Sequence, residues 1–194
     1  MDLTAFFALY FVLAFVWRGV AVYRRTGVNP LVLPRRDDAH GYIGRAFKVV
    51  LIGIAALLAA ETFSPGGVHR FGQADLLDTP IARVLGWTVL WASLVWLVIA
   101  QAQMGNSWRV GIDEARTTDL VTRGVFGWSR NPIFLGLRVT LAGLILVLPF
   151  GSTLALAVAA EVLIQVQVRL EETHLRALHG DRYEAYVRRV RRWA

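Results

Sequence analysis

The chain has 194 residues, of which 56% are hydrophobic and 18% charged, with no cysteine and a formal net charge of +7. Such a length suits one domain, and the apolar content places the chain among membrane proteins. The lack of cysteine excludes disulfides, thiolate metal sites and cysteine nucleophiles, and the basic residues sit between apolar spans and at the C-terminus, which argues for membrane topology and against nucleic acid.

A hydrocarbon core about 30 Å thick needs roughly 20 apolar residues of helix. Five stretches meet this, some barely: near Leu3–Val22, Ala46–Phe63, Ile81–Ala102, Pro132–Pro149 and Thr153–Val168. Met1-Asp2-Leu3 has no basic segment before the first stretch, so that stretch reads as a retained helix rather than a cleaved signal. The loop Thr26–Gly44 holds Pro30 and Pro34 and reads as irregular. The last two spans are short and joined by Pro149-Phe150-Gly151-Ser152, a tight helical hairpin. The tail from Glu171 to Trp193 reads as helix with an apolar face, broken near Gly180-Asp181.

Orientation follows from the basic residues. Arg24, Arg25, Arg35, Arg36, Arg45 and Lys48 follow the first span, Arg109, Arg116, Arg123 and Arg130 follow the third, and Arg169, Arg176, Arg182, Arg188, Arg189, Arg191 and Arg192 line the tail. The opposite side offers Arg70 and Arg83, with Asp75 and Asp78 nearby. The positive-inside rule then puts the N-terminus outside and the C-terminus in the cytoplasm. The fold expected is all-α: a polytopic membrane protein with about five transmembrane helices, a C-terminal helical hairpin and a cytoplasmic C-terminal helix. Residues 1–194 form a single domain, a three-helix part over 1–103 and a cofactor-binding core over 104–194. Short loops and the absence of cysteine lean towards a prokaryotic inner membrane.

Chemistry concentrates in two places. Leu120 to Gly136 is a Gly- and Pro-punctuated loop that runs into an apolar helix. Pro132 suits a first helical position, and the N–H groups after it make a positive end suited to a carboxylate. Gly124 and Gly127 let the backbone approach a ligand; the plainer alternative is a helix start capped by Asn131. The second place is Arg169-Leu170-Glu171-Glu172. A carboxylate there can accept from a ribose or an amino group and Arg169 can hold an anion, or the acids can be a solvated helix end. At 100° per residue Glu161, Gln165, Arg169 and Glu172 share one face. Such a stripe lines a cavity or bonds other helices, since lipid cannot satisfy it. Arg138 and Glu161 sit at similar depth in the hairpin and can pair, for structure or for function. His174 and His179 are five apart, which is not a helical metal pair, and no metal is expected. No Gly-x-Gly-x-x-Gly follows a strand, which excludes the dinucleotide-binding fold.

These motifs together resemble the isoprenylcysteine carboxyl methyltransferases and the related phospholipid methyltransferases. The resemblance runs from Gly105 to Val187: Gly105-Asn106-Ser107-Trp108, then Leu120, Val121, Gly124 and Phe126, then Arg130, Asn131, Pro132, Phe134 and Gly136, and finally Arg169, Glu171, Glu172, Leu175, Gly180, Tyr183 and Tyr186. The family pattern has a histidine where Asn131 stands and tyrosines where Phe126 and Phe134 stand. Asparagine keeps hydrogen bonding but cannot be a cation near neutral pH.

The resemblance implies S-adenosylmethionine as cofactor, held by Leu120, Val121, Gly124, Arg130, Asn131, Pro132, Phe134, Glu171 and Glu172. It implies methyl transfer to a lipidic or hydrophobic acceptor at the cytoplasmic membrane face. Arg169 would position an anionic acceptor such as a carboxylate; for an amine or thiol, Glu172 would take the proton. The partner expected is a membrane lipid or hydrophobic small molecule. Two rival readings are a membrane reductase using a nicotinamide cofactor and a non-catalytic lipid-binding scaffold.

Overall fold

The computed structural model describes residues 2–30, 38–64, 72, 74, 76–111 and 119–194. Pro34, Arg35, Arg36, Arg70, Asp75 and Arg116, used above to read the loops and the topology, lie outside the described residues. Five long helices run alternately up and down: α1 (Leu3–Thr26), α2 (Ala39–Phe63), α3 (Pro80–Met104), α4 (Pro132–Val147) and α5 (Gly151–His179). A short α6 (Asp181–Arg189) follows. All but α4 and α6 are long and apolar enough to cross a membrane; α4, with 16 residues, spans about 24 Å. The chain is therefore an all-α, integral membrane protein. The hairpin is less symmetric than its sequence predicts, because α5 continues past Val168 to His179 without a break.

Local sequence sets the helix ends. Asp38 and Thr79 cap α2 and α3 through side-chain bonds to Gly41 N and Ala82 N, and proline takes the first turn of α3 and α4. Gly105 ends α3 at φ 55°, a conformation that glycine adopts without strain. The inner part of α1 widens to a π-helical turn over Val12–Trp17, and the Gln101 amide of α3 donates to Ala14 O at 3.0 Å. A carbonyl in hydrocarbon needs such a donor.

The tightest packing joins α3 and α4. A Cβ on Gly86 would stand 2.7 Å from Val147 Cγ2, and one on Gly143 would stand 2.9 Å from Leu90 Cγ. Small residues here let two backbones approach, which is how membrane helices gain contact without a hydrophobic drive between them. Nearby, the buried Thr140 hydroxyl lies 2.9 Å from Ser93 Oγ and 3.0 Å from Tyr10 Oη, linking α4 to α3 and α1. The outward side chains are apolar, among them Val49, Ile52, Val84, Leu85, Val158 and Val162. That surface is at ease only in lipid.

Alternation of the helices brings the described basic segments to one end of the bundle. There Val110 N donates to Pro30 O, and buried Arg18 bonds Gly105 O while lying over the Trp108 ring. At the other end the α4–α5 turn is tied down by Ala74 N to Pro149 O and Gly151 N to Gly72 O, both at 2.8 Å.

Candidate functional site

The two sequence motifs meet around one carboxylate. Glu172 of α5 is 3% exposed. Its Oε1 accepts from Asn131 Nδ2 at 3.0 Å, Arg192 Nε at 3.0 Å and Arg130 Nη2 at 3.3 Å; its Oε2 accepts from Arg192 Nη2 at 2.7 Å. Three N–H donors therefore meet Oε1 and one meets Oε2. Arg192 makes a two-pronged contact, the geometry that gives guanidinium–carboxylate pairs their specificity. With Glu172 beside it, Arg192 holds its proton more tightly than an ordinary arginine.

Arg192 arrives because the chain reverses after α6. The last residues fold back onto the start of α4: Arg130 N donates to Arg191 O at 2.9 Å, Ser129 Oγ to Arg192 O at 3.1 Å and Arg130 Nη1 to Val190 O at 2.6 Å. Asn131 occupies the cap position of α4 but makes no capping bond. Its side chain turns to Glu172 and to Arg192 O instead, a donor's job that needs no cationic histidine.

The loop before α4 forms a shelf. Gly124 has φ 62°, and a Cβ there would collide with the Gln103 amide. That amide oxygen accepts from Val125 N at 2.8 Å. The turn Gly124–Gly127 is pinned from below by the Tyr186 hydroxyl, which donates to Phe126 O at 2.6 Å. Tyr183 and Tyr186 are buried and packed with half-buried Leu120. Burial pushes the Tyr183 phenol up to about 12 and raises that of Tyr186 further. Val121 and Phe134 are half-buried.

The α5 stripe divides in two. Arg138 Nε donates to Glu161 Oε2 at 2.9 Å, the pairing expected from their equal depth. Gln165 Nε2 donates to Glu161 Oε1 at 2.7 Å, and Arg169 Nη1 donates to Gln165 Oε1 at 2.9 Å. Glu172 belongs to the other cluster and touches neither Arg169 nor Glu161. Arg169 is exposed and Gln165 supplies its hydrogen bonds. Glu171, next to Glu172, accepts from Gln167 at 2.9 Å and keeps a second oxygen available. Sequence reasoning missed Ser129, Gln103, Arg192 and Trp193, whose ring lies 4.4 Å from the Arg138 guanidinium carbon. Nothing in the sequence distinguishes Arg192 from the other tail arginines. Among the described residues no group of three His, Asp or Glu could hold a metal ion.

Residues 84–177 match the family model of the isoprenylcysteine carboxyl methyltransferase (ICMT) family. The fold is similar to the structure of the eukaryotic intramembrane Ras methyltransferase ICMT, solved without a monobody, with a TM-score of 0.60 at 16% identity. The match covers 95% of this chain and 64% of that one, so the present chain is similar to a little under two-thirds of that structure's length. No curated protein matches the chain. Over residues 84–177 the chain is similar in sequence to the ICMT family, and over nearly all its length it is similar in fold to that membrane protein.

Proposed function

From that family match and shared fold, we propose that the chain is an S-adenosylmethionine-dependent methyltransferase acting on a lipidic, carboxylate-bearing acceptor at the cytoplasmic face of a prokaryotic inner membrane. The observation that carries this reading is the meeting of Arg130, Asn131 and Glu172, from two distant motifs, beside the Gly124 shelf. The residues fit the cofactor. Arg130 Nε is a buried donor at this site without a partner among the described residues, one that a polar ligand could meet.

Bound there, S-adenosylmethionine would supply an electrophilic methyl group. Leu120 and Val121 would give it apolar contact, with Gly124 letting the backbone come close. The start of α4 at Pro132 and Phe134 would face its carboxylate, and the free oxygen of Glu171 a hydroxyl or ammonium group. Glu172 acts here as a positioning residue, holding Arg130 and Asn131 in place through bonds it already makes. The two arginines and Asn131 that bond Glu172 favour its charged form, which makes it a weak base for an amine or thiol. A carboxylate acceptor needs no base, which favours that class. Arg169, exposed and bonded to Gln165, would orient the acceptor's anionic group. The division into a three-helix part over 1–103 and a cofactor core over 104–194 follows from the same reading.

Calorimetry on purified protein tests the proposal, with S-adenosylhomocysteine and reduced nicotinamide dinucleotide phosphate titrated separately. Binding of the first alone is expected, together with base-labile methyl incorporation into membrane lipid extract. Binding of the nicotinamide alone would replace this reading by the reductase.

A further inference from the structure

Arg138 is the one charged residue of α4, six residues past Pro132 and so about 9 Å along the helix axis. Glu161 takes its Nε–H, and the Trp193 ring covers one face of the guanidinium at 4.4 Å. Its four Nη hydrogens meet no protein acceptor among the described residues, yet the side chain is 32% exposed. A guanidinium at this depth with unused donors calls for an anion or water to meet them. From Arg138 a hydrogen-bonded line runs through Glu161 and Gln165 to Arg169, about 12 Å along α5. Between residues 130 and 172, with Arg192 added, four guanidiniums stand against three carboxylates, which leaves one positive charge over. Trp193 is held at Arg138 because the neighbouring Arg192 is clamped to Glu172.

We propose that Arg138 receives the oxyanion of an anionic bilayer amphiphile, a phosphate diester or a carboxylate, where α4 and α5 meet, with Trp193 as the wall behind it. This rests on the lipid-acceptor reading above and makes Arg138 a first station for the acceptor's oxyanion, before Arg169 orients it at the cofactor end. The line of Glu161, Gln165 and Arg169 then connects the Arg138 station to the cofactor end. Glu161 competes with the ligand for the guanidinium's charge, so that Arg138 does not bind every anion alike.

The test uses Trp193 fluorescence, taken as the difference between wild type and Trp193→Phe in phosphatidylcholine vesicles. Brominated phosphatidylglycerol, dibromostearate and brominated phosphatidylcholine serve as quenchers. At least one anionic quencher should reach half-quenching at a mole fraction about fivefold lower than brominated phosphatidylcholine, the factor expected of one basic residue at a membrane. Which of the two does so separates phosphate from carboxylate. Arg138→Gln should abolish the preference, Arg188→Gln on exposed α6 should keep it, and Glu161→Gln should strengthen it. Equal quenching by all three probes, or a preference that survives Arg138→Gln, overturns the proposal. If Arg138→Gln does not fold, Glu161→Gln decides, and a preference that fails to rise counts against it. Calorimetry with S-adenosylhomocysteine on the same samples keeps the two readings apart. Absent anion preference with that binding intact refutes the Arg138 station alone, whereas absent binding refutes the methyltransferase.

Discussion

Replacing Glu172 by alanine probes whether the α4 start and the C-terminal tail are held by one buried carboxylate. The substitution strands Arg130, whose side chain is 10% exposed, without its counter-charge, and releases Arg192, which is 35% exposed and can rehydrate. Removing one partner of a buried ion pair costs about 3–5 kcal/mol. Arg130 keeps its bonds to Val190 O and Val187 O, so the lower end of that range applies. Asn131 loses its carboxylate acceptor but keeps a longer bond to Arg192 O, a further cost of about 1 kcal/mol. A loss of about 4 kcal/mol at roughly 2–4 °C per kcal/mol lowers the unfolding midpoint by about 8–16 °C. Circular dichroism in detergent reads the midpoint, and calorimetry with S-adenosylhomocysteine reads the site. Arg192→Ala should lose less than Glu172→Ala, and the double variant should lose less than the sum of the two, by about 1–3 kcal/mol. A Glu172→Ala midpoint within about 2 °C of wild type, or simple additivity with Arg192→Ala, would refute the argument, because it would mean that the carboxylate is solvated and holds nothing.

Other outcomes follow from the same geometry. Arg169→Lys should leave stability within about 0.5 kcal/mol of wild type, since its protein partner is Gln165, while turnover on the acceptor falls at least tenfold; a fall in midpoint with activity per folded molecule unchanged makes Arg169 structural. Gly124→Ala should cost about 1–3 kcal/mol, because φ is 62° and the added carbon displaces Gln103 from Val125 N; cofactor affinity should fall with it, and an unaltered thermogram would contradict the shelf. For topology, Trp128→Cys is suitable because Trp128 is 72% exposed and the chain has no cysteine; labelling from outside intact cells would reverse the orientation and remove the cytoplasmic site. The Tyr183 phenol is raised from 10 to about 12 in the fold, so its contribution is complete below pH 10 and is lost as pH rises towards 12; a Tyr183→Phe variant should lose part of that alkaline destabilisation, and an identical profile would count against burial of the phenol.

The sequence by itself determined the helices, their alternation and the depth match of Arg138 with Glu161. These are local consequences of the solvent. A span of hydrocarbon demands about 20 apolar residues with every backbone bond closed inside the segment, and a tight turn at Pro149-Phe150 equalises depth on its two sides. The motif residues were legible for a related reason: glycine, proline and charge interrupt an apolar sequence conspicuously. Partner choice was not legible. Glu172 pairs with Arg192 across 20 residues and with Arg130 across 42, and only the reversal after Val190 decides this. Five arginines lie between residues 182 and 192, identical in kind, and chain direction rather than residue type selects the one that docks. Asn131 looked like a helix cap because asparagine usually is one there. The tertiary structure offered its amide a buried carboxylate instead, and a charge-assisted bond in a low-dielectric interior outweighs an exposed cap. The same folding-back put Trp193 against Arg138, a contact between the last residues of the chain and a helix that starts about sixty positions earlier, beyond the reach of any helical periodicity.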